Sequence, residues 1–454
     1  MRLLLSSILI FSSAFVPIDG DEVAIVGAGH VGTVMGAIFS HLGHSVTFVD
    51  KDEQKIENLK NNILQISEPH LLNYIQQANQ RKLLKFSHKI ETLENVDVLF
   101  VCTETPSLAN GKLDCSSVHS VLSSVIKLET LPQLICIKST LYPGSMEKFS
   151  RLFENTNSRV SLVYNPEFMR EGSAISDIMN SNPIVIGAES QEGINKALSF
   201  YQSFFDQNPQ MKVVTTNYET AELIKLAWNG FSAMRITYVN ELSRLCKKLN
   251  ADIFDLVQGF SMSEDMLPTS KVIPGPGFGG SCFPKDTLAL SCIFQELGFN
   301  DSLVHQTISM NQFHIDTVIS EILDFSHLEC GDSVAILGFS FKANTEDTRN
   351  TPAKNLVQVL KEKGIIVKGY DPNFSESMKK EFPHVTFFST PYEAIDQTSC
   401  LIVLTESDEH RNLDFERISE LMKKKKLVDV KNLYDVKTVR HIGFDVLNMG
   451  RLKR

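Results

Sequence analysis

The chain has 454 residues, of which 43% are hydrophobic, and it carries a formal net charge of −10 at pH 7. At roughly 150 residues per domain, this length predicts about two to four domains with full hydrophobic cores. The acidic balance argues against a nucleic-acid-binding protein, although a local basic pocket could still hold an anionic ligand. We therefore expect a small-molecule partner and no nucleic acid.

The cysteines are widely spaced and form no CxxC or CxxH pair. This spacing argues against a zinc site and against a small disulfide scaffold, so we predict no metal. Most of these side chains are expected to be small buried hydrophobes. Only Cys282 has an unusual setting, between a glycine-rich loop and the start of a predicted helix. The eight cysteines are Cys102, Cys115, Cys136, Cys246, Cys282, Cys292, Cys330 and Cys400.

The first twenty residues, MRLLLSSILIFSSAFVPIDG, have one basic residue, an apolar stretch at 3–16 and no clean A-x-A cleavage site. They resemble a weak secretory signal, and they fall short of the ~20 apolar residues that a membrane span requires. We leave residues 1–20 outside the predicted fold. A nucleotide-binding unit follows, so we expect a cytoplasmic protein without stable membrane association; export or anchoring through the apolar segment is the alternative that stays open.

From residue 23, short β-branched runs alternate with helical stretches. The runs predict buried strands of a parallel sheet, and the alternation is typical of a doubly wound α/β domain. The predicted strands are VAIV (23–26), VTFV (46–49), DVLFVCT (97–103) and LICIKS (134–139).

Residues 220–250 contain no proline and one glycine, and their apolar residues recur near helical spacing. This pattern predicts one long helix, about 45 Å long at ~1.5 Å per residue. A helix of this length in mid-chain suits a spine between domains or the core of a dimer.

The α/β alternation returns after residue 330. A helix is predicted over 351–364, with Thr351 as N-cap, Pro352 in the first turn and Gly364 as the stop. The accompanying strands are predicted at 334–339, 365–371, 400–406 and 426–430.

These elements predict two Rossmann-like doubly wound domains, joined by a long central helix and a helical middle domain. We expect a dinucleotide-binding domain over residues 21–215 and a helical domain with the cysteine loop over 216–325. A second Rossmann-like domain is expected over 326–454.

The stretch VGAGHVG places Gly27, Gly29 and Gly32 as GxGxxG between a strand and a helix. Gly27 allows the tight turn, Gly29 lets backbone approach a pyrophosphate, and Gly32 permits close helix–sheet packing. Asp50 ends the next strand, 18 residues after Gly32. A carboxylate there accepts hydrogen bonds from the ribose hydroxyls and repels a 2′-phosphate, which predicts NAD rather than NADP.

The stretch GPGFGGSCFPKD places Cys282 just before Pro284, which suits the first turn of a helix. The positive end of that helix is expected to stabilise a thiolate and lower the pKa of Cys282. Asp286 follows about one turn later, on the same side. A thiolate beside NAD can capture an aldehyde as a thiohemiacetal, whose oxidation gives a thioester that water cleaves. The sequence therefore predicts an enzyme that makes a carboxylic acid.

Two further stretches fit this chemistry. YNPEFMREGSA carries Glu167 and Glu171 on either side of Arg170, and this pair of carboxylates could activate water or shuttle protons. AELIKLAWNG places Lys225 and Asn229 on one helix face, where a cation and an amide donor can stabilise an oxyanion.

Together, these stretches resemble the motifs of the nucleotide-sugar dehydrogenases. They run in the family's order from about residue 22 to 450, and the combination of GGSCFPKD with NPEFMREG is highly specific. The matching stretches are VGAGHVG, KSTLYPGS, NPEFMREGSA, AELIKLAWNGF, GFGGSCFPKD and GFSFKANTEDTR.

The resemblance implies a four-electron oxidation in which UDP-glucose, two NAD⁺ and water give UDP-glucuronate. It makes the first domain NAD-binding and the last UDP-sugar-binding, with the cofactor between domains and Arg349 reaching across to it. Family members are usually dimers through the long helix, and some assemble further.

The resemblance also implies roles for individual residues. Cys282 is the nucleophile, Lys225 and Asn229 steady the oxyanion, Glu167 assists thioester hydrolysis, and Thr140 and Asp286 position water or take protons. The implied cofactor contacts are Gly27, Gly29, His30, Val31, Gly32, Asp50, Lys55, Ser139, Thr140, Glu171, Lys285 and Arg349. The implied substrate contacts are Glu167, Phe168, Met169, Arg170, Glu171, Lys225, Asn229, Gly277, Phe278, Gly279 and Lys342.

The chain departs from the family pattern at four places. His30 stands where the family often has tyrosine, and TES at 405–407 replaces the usual TEW. Met266 aligns with an arginine that reaches the neighbouring subunit's sugar ring. Lys431 replaces a C-terminal arginine, which keeps the charge and loses the bidentate fork.

Two kinds of alternative to UDP-glucose oxidation stay open, namely oxidation of another nucleotide sugar and a non-catalytic role. GDP-mannose dehydrogenases share the chemistry, but tend to have RES where this chain has REGSA, which favours UDP-glucose. UDP-sugars with an acetamido group usually go with a GGHC-type loop, which is absent here. A non-catalytic nucleotide-sugar sensor is a second class, but such a sensor has no reason to retain Cys282, Lys225, Asn229, Glu167 and Asp286 together.

Overall fold

The computed structural model describes residues 20–64, 66–154, 156, 159–261 and 273–451. Residues 1–19 of the signal-like segment and Met266 lie outside the described residues. Within the described ranges the chain forms two α/β units with a helical region between them, as predicted.

The first sheet has eight strands in the described part of the chain, in the order β3-β2-β1-β4-β5-β6-β7-β8. Neighbouring strands run parallel except β6 and β7, which pair antiparallel through Tyr164 and Gly187. The strands are β1 (Glu22–Val26), β2 (Ser45–Val49), β3 (Leu84–Ser87), β4 (Val98–Val101), β5 (Leu134–Ile137), β6 (Ser161–Tyr164), β7 (Ile184–Gly187) and β8 (Val213–Thr216).

Short helices cover this sheet, and local capping explains where two of them begin. The Asp52 side chain accepts from the backbone of Gln54 and Lys55, and the Ser190 side chain accepts from Gly193. The helices are α1 (His30–His41), α2 (Glu53–Lys60), α3 (Leu71–Gln80), α4 (Ser116–Val125), α5 (Ser145–Ser150), α6 (Ala174–Ser176), α7 (Gln191–Phe200) and α8 (Gln202–Gln207).

The predicted long helix is confirmed as α9 (Tyr218–Leu249), which is 32 residues long. It begins where the Asn217 side chain accepts from Thr220, and it ends at Asn250 in the left-handed conformation. Helix α9 packs against α11 and α12. The other helices of this region are α10 (Ile253–Ser261), α11 (Phe283–Glu296) and α12 (Leu303–Ser326).

The second sheet has six parallel strands in the residues described, in the order β11-β10-β9-β12-β13-β14. They are β9 (Ser333–Leu337), β10 (Ile366–Tyr370), β11 (Val385–Phe387), β12 (Cys400–Val403), β13 (Lys426–Asp429) and β14 (Asp445–Asn448). The helices are α13 (Pro352–Glu362), α14 (Glu376–Glu381), α15 (Pro391–Ile395), α16 (Asp408–Arg411), α17 (Phe415–Leu421) and α18 (Val436–His441).

The two sheets repeat one arrangement at their carboxyl ends. The strand order reverses between β1 and β4, and again between β9 and β12, which is where doubly wound sheets bind ligands. Asp50 follows β2 and accepts from the backbone of Ala28, while Asp371 follows β10 and accepts from the backbone of Phe339. Each sheet therefore holds its first strand–helix turn with a carboxylate from the next strand.

No helix within the described residues is both long and apolar enough to cross a lipid bilayer. The same residues contain no group of three or more histidine, cysteine, aspartate and glutamate side chains placed to hold a metal ion.

Candidate active site

The glycines of the dinucleotide loop differ in the space around them. Gly27 has φ of +103°, and a Cβ on Gly32 would lie 1.9 Å from the carbonyl oxygen of Gly27. Around the Cβ position of Gly29 there is no heavy atom within 4 Å. This open space lies at the N-terminus of α1, where Gly29 is the N-cap and brings no side chain of its own. The loop therefore fits the pyrophosphate of a dinucleotide, which a helix N-terminus attracts.

Asp50 lies directly beside this loop. Its carboxylate accepts from the backbone N–H of Ala28 at 2.9 Å and of Asp52 at 3.0 Å. These bonds fix the carboxylate at the end of β2, where the ribose of a bound dinucleotide is expected. Lys55 lies on the helix that Asp52 caps, in the same region of the sheet edge.

Glu68 links the dinucleotide loop to the segment that carries Glu167 and Glu171. Its carboxylate accepts from the backbone N–H of Gly172 at 2.8 Å and of Ala174 at 2.7 Å. His30 Nε2 lies 3.5 Å from the same carboxylate. The histidine that departs from the family pattern thus faces the buried carboxylate of Glu68, a residue that lies in none of the matching motifs.

Cys282 is the N-cap of helix α11, as predicted, and it is exposed. The expected lowering of its pKa is wrong. Desolvation by the surrounding protein raises the pKa of the Cys282 thiol, and Asp286 raises it further, while Lys225 acts in the opposite direction. The partial charge of a helix end is weaker than the combined effect of desolvation and a nearby full negative charge.

Lys225 and Glu167 form a buried pair opposite the cysteine. Lys225 Nζ lies 3.0 Å from the Glu167 carboxylate and donates to the Glu167 carbonyl oxygen at 2.6 Å. Burial favours loss of the lysine proton, but Glu167 and Asp286 outweigh it and raise the pKa of Lys225. The raised pKa favours the charged form of Lys225, whose charge in turn acts on the Cys282 thiol.

Asn229 and Asp286 form the second buried pair. Asn229 lies one turn after Lys225 on α9, and its amide donates to the Asp286 carboxylate at 2.5 Å. Lys285 Nζ lies 2.6 Å from the other carboxylate oxygen. The predicted shared face of Lys225 and Asn229 is thus directed at the helix that begins with Cys282.

The glycine-rich loop before Cys282 is held by helix α12. The Asn311 side chain accepts from Phe278 N–H at 2.9 Å and donates to the Phe278 carbonyl at 3.1 Å. A Cβ on Gly277 would lie 2.7 Å from Ile315, and a Cβ on Gly279 would lie 2.2 Å from the Asn350 carbonyl oxygen. The loop needs these glycines because helix α12 and the C-terminal unit approach its backbone closely.

The C-terminal unit reaches the site through its first strand–helix turn. Lys342 Nζ donates to the Glu171 carbonyl at 2.6 Å, and the Thr345 hydroxyl donates to the Glu171 carboxylate at 2.9 Å. Arg349 pairs with Asp347 at 2.8 Å and lies 3.7 Å from Glu171. Burial lowers the pKa of Lys342.

Some predicted site residues have other partners in this structure. The Arg170 guanidinium binds Asp177, with Nη2–Oδ1 at 2.6 Å and Nε–Oδ2 at 3.0 Å. Ser139 donates its hydroxyl to the Thr103 carbonyl at 2.7 Å. Glu167 and Glu171 do not share partners, because the first contacts α9 and the second contacts the C-terminal unit.

The two residues that follow Glu167 contact the Lys225–Glu167 pair. Phe168 is buried with its ring 5.3 Å from Lys225 Nζ, and Met169 donates its N–H to the Glu167 carboxylate at 2.7 Å.

In the C-terminal unit, Lys431 pairs at 2.9 Å with Glu406 of the TES stretch. A Cβ on Gly275 would lie 3.4 Å from Lys431 Nζ, so this lysine adjoins the start of the cysteine loop.

The fold and this site together define an NAD-dependent oxidoreductase with an exposed thiol next to two pairs of polar and charged side chains. Three family models match the chain. They are the NAD binding domain of the UDP-glucose/GDP-mannose dehydrogenase family at residues 21–205, its central domain at 219–313 and its UDP binding domain at 335–436. The chain belongs to the UDP-glucose/GDP-mannose dehydrogenase family.

Individual relatives agree with this assignment. A UDP-glucose 6-dehydrogenase of Rickettsia typhi is 34% identical over 433 residues, covering 94% of this chain and 99% of the relative. A UDP-glucose 6-dehydrogenase of Rhizobium meliloti is 35% identical over 438 residues, covering 95% and 99%. The solved UDP-glucose dehydrogenase of Pyrobaculum islandicum is 27% identical with a TM-score of 0.82, covering 94% of this chain and 98% of that one.

Proposed function

We propose that this protein oxidises UDP-glucose to UDP-glucuronate in two NAD-dependent steps, through a thiohemiacetal and a thioester on Cys282. The observation that carries the proposal is the cluster of Cys282 with the pairs Lys225–Glu167 and Asn229–Asp286. The names of the relatives support the sugar, and the UDP binding domain supports the nucleotide.

The cofactor is held by residues of the first sheet. The open space at Gly29 and the N-terminus of α1 receive the pyrophosphate, and Asp50 accepts from the adenosine ribose, with Lys55 beside it. His30, Val31 and Ser139 lie at the ends of strands of the same sheet, while Arg349 would reach the cofactor from the C-terminal unit. When bound, NAD⁺ accepts a hydride in each of the two oxidations.

The substrate lies between the cysteine loop and the C-terminal unit. Phe278 and Gly279 present backbone that Asn311 holds in place, and Lys342 supplies a cation whose position the Glu171 carbonyl fixes. Lys431, beside Gly275, adds positive charge where the nucleotide is expected. These groups suit an anionic sugar nucleotide.

Lys225 and Asn229 stabilise the oxyanion that forms when sulfur adds to the aldehyde carbon. Both donors are buried and held by carboxylates, so they need little reorganisation during the reaction. Cys282 loses its proton on forming the C–S bond, and Asp286, one turn along α11, is placed to take it.

Water completes the reaction by attacking the thioester carbon. Glu167 takes a proton from this water, Thr140 and Asp286 orient it, and the C–S bond breaks to release the acid and the Cys282 thiolate. Lys225 steadies the second oxyanion as it did the first.

The same proposal includes the domains and the assembly. The domains are residues 21–215, 216–325 and 326–454, and the chain pairs with a second copy through α9. Apolar side chains exposed along this helix support the dimer, because such surface is usually covered. They are Leu223, Trp228, Phe231, Tyr238, Leu245 and Leu249.

Mass spectrometry of the product tests the function. Incubation with UDP-glucose and NAD⁺ should give UDP-glucuronate and two NADH for each acid formed, and a Cys282→Ala variant should give no acid. Faster NADH formation with GDP-mannose would overturn the choice of sugar. Binding of the sugar nucleotide without turnover would instead support a sensor.

A further inference from the structure

Lys138, the first residue of the KSTLYPGS stretch, is 4% exposed and has no part in the chemistry proposed above. Its Nζ donates to the Asn165 side-chain oxygen at 2.8 Å and to the Asn165 carbonyl at 3.1 Å, and it lies 3.4 Å from the Tyr201 hydroxyl. Burial lowers the pKa of Lys138. A methionine would occupy similar space without this desolvation cost, so the buried amine contributes less to the free energy of unfolding than an apolar side chain would.

Asn165 is the centre of this buried network. Its side-chain oxygen also accepts from the Tyr201 hydroxyl at 2.6 Å, and its amide donates to the Val185 carbonyl at 2.8 Å. Its backbone N–H donates to the Ile137 carbonyl at 2.9 Å. The network therefore joins the carboxyl ends of β5 and β6 to strand β7, at the antiparallel junction of the sheet.

Two segments of the site begin in this network. Lys138 is followed by Ser139 and Thr140, and Asn165 is followed by Pro166 and Glu167. Lys225 holds the Glu167 carbonyl from the other side, at 2.6 Å. Two buried lysines therefore donate to the first and last carbonyl groups of the segment Asn165–Glu167. The central proline of this segment has a restricted φ.

We propose that Lys138 is a positioning residue which, with Asn165 and Tyr201, fixes the separation of Thr140 and Glu167. With Asp286, these two groups direct water at the Cys282 thioester, so the network sets the geometry of hydrolysis. Hydride transfer at saturating NAD⁺ does not depend on the separation of Thr140 and Glu167. The inference rests on the proposed function.

Two variants test it beside a matched control. Lys138→Met removes the amine, and Tyr201→Phe removes only a hydroxyl. Tyr218→Phe is the control, because the Tyr218 hydroxyl is also buried and donates to a backbone carbonyl of β6, that of Leu162, at 2.8 Å. Stopped-flow NADH formation with UDP-glucose separates the oxidations from the slower turnover that follows.

We expect a normal NADH burst in both test variants and a slower steady state. Misplacing a reacting group by about 1 Å can cost ~100-fold, so the expected losses are about 10- to 100-fold for Lys138→Met and about 3- to 10-fold for Tyr201→Phe. Hydroxylamine cleaves a thioester without a general base, and its addition should restore turnover in both variants as the hydroxamate forms. A merely structural defect would slow the burst as well and would not respond to hydroxylamine.

Turnover like that of the Tyr218→Phe control, or failure of hydroxylamine to restore it, would overturn the inference. If Lys138→Met does not fold, Tyr201→Phe decides the matter by itself. Glu167→Gln, measured alongside, separates the two levels of argument. If it slows hydrolysis while the test variants do not, the inference fails and the proposed function stands; if neither Glu167→Gln nor Cys282→Ala affects turnover, both fail.

Discussion

The side-chain amide of Asn229 on α9 donates a 2.5 Å hydrogen bond to the carboxylate of Asp286 on α11. Asp286 is completely buried, and its second oxygen is paired with Lys285. A buried carboxylate is costly unless it is paired and hydrogen-bonded, so the two helices cannot separate without exposing or stranding this charge. The contact holds the helix that begins at Cys282 against the helix that carries Lys225.

Replacement of Cys282 by alanine removes the proposed nucleophile. We expect no acid product, with UDP-glucose still bound, because the contacts of the sugar nucleotide lie on other residues. Product analysis together with calorimetric binding of UDP-glucose checks both parts. Wild-type turnover in this variant would show that the thioester route is wrong.

Replacement of Asp286 by asparagine should have two opposite effects. The Cys282 pKa should fall, because Asp286 raises it, and alkylation of Cys282 at neutral pH should become faster. Turnover should nevertheless drop, because proton transfer and water positioning lose the carboxylate. Iodoacetamide labelling across pH and stopped-flow kinetics measure the two effects.

A Cys282→Ala background provides the control for that labelling, since other cysteines, including the exposed Cys330, can react. An unchanged Cys282 titration in Asp286→Asn would contradict the electrostatic account of the raised pKa.

Alanine at two glycines of the dinucleotide loop should separate binding from stability. At Gly29 the backbone φ is −81°, and no heavy atom lies within 4 Å of the position of an added Cβ. Folding of Gly29→Ala should therefore be unaffected, while the KM for NAD⁺ rises. Gly32→Ala brings a Cβ to 1.9 Å from the Gly27 carbonyl oxygen, which should lower the free energy of unfolding by at least about 2 kcal/mol. Thermal melts and NAD⁺ titrations distinguish them, and equal melting temperatures would refute the steric argument.

Asp50→Asn keeps an acceptor for the loop backbone and loses the negative charge. The KM for NAD⁺ should increase, and discrimination against NADP⁺ should weaken because the repulsion of a 2′-phosphate is gone. Steady-state kinetics with both cofactors measure this. An unchanged ratio of kcat/KM values would argue against a ribose contact at Asp50.

Ionisation of the buried Glu222 carboxyl should lower the free energy of unfolding as the pH rises. Burial raises its pKa from an ordinary 4.5 to about 7, against backbone donors at Met146 and Gly144 that lower it. Below pH 4.5 the carboxyl is protonated in both states; between 4.5 and 7 the unfolded chain releases its proton first, so the free energy of unfolding declines. The full shift corresponds to about 3 kcal/mol above pH 7.

Glu222→Gln should remove this decline, and denaturant unfolding at pH 5 and pH 8 measures it. Glu241→Gln, at an exposed position on the same helix, is the control and should keep the wild-type pH dependence. Identical pH dependence in the two variants would show that Glu222 does not titrate in this range.

Local sequence determined much of the scaffold. Strands β1, β4 and β5 contain continuous apolar runs, and β2 is rich in β-branched residues. Helix α9 has helical periodicity between an Asn cap and a left-handed Asn, so these elements could be predicted from neighbouring residues alone. Strands β3, β6, β7, β8, β11 and β14 were not predicted. They are about as short as the predicted β4 and β5, so length does not separate them, and their pairing in the sheets is what identifies them. The reversal of strand direction between β6 and β7 likewise depends on which strands pair.

The sequence by itself also identified the types of residue proposed to do the chemistry, because motif spacing brings a cysteine to a helix start and a lysine and an asparagine to one helix face. Only the tertiary structure decided how those groups behave. The Cys282 pKa rises, Arg170 is bound to Asp177, Lys138 donates to Asn165, and Glu68 accepts from the backbone of Ala174. Desolvation and charge depend on atoms that distant segments bring together, and no local pattern records them.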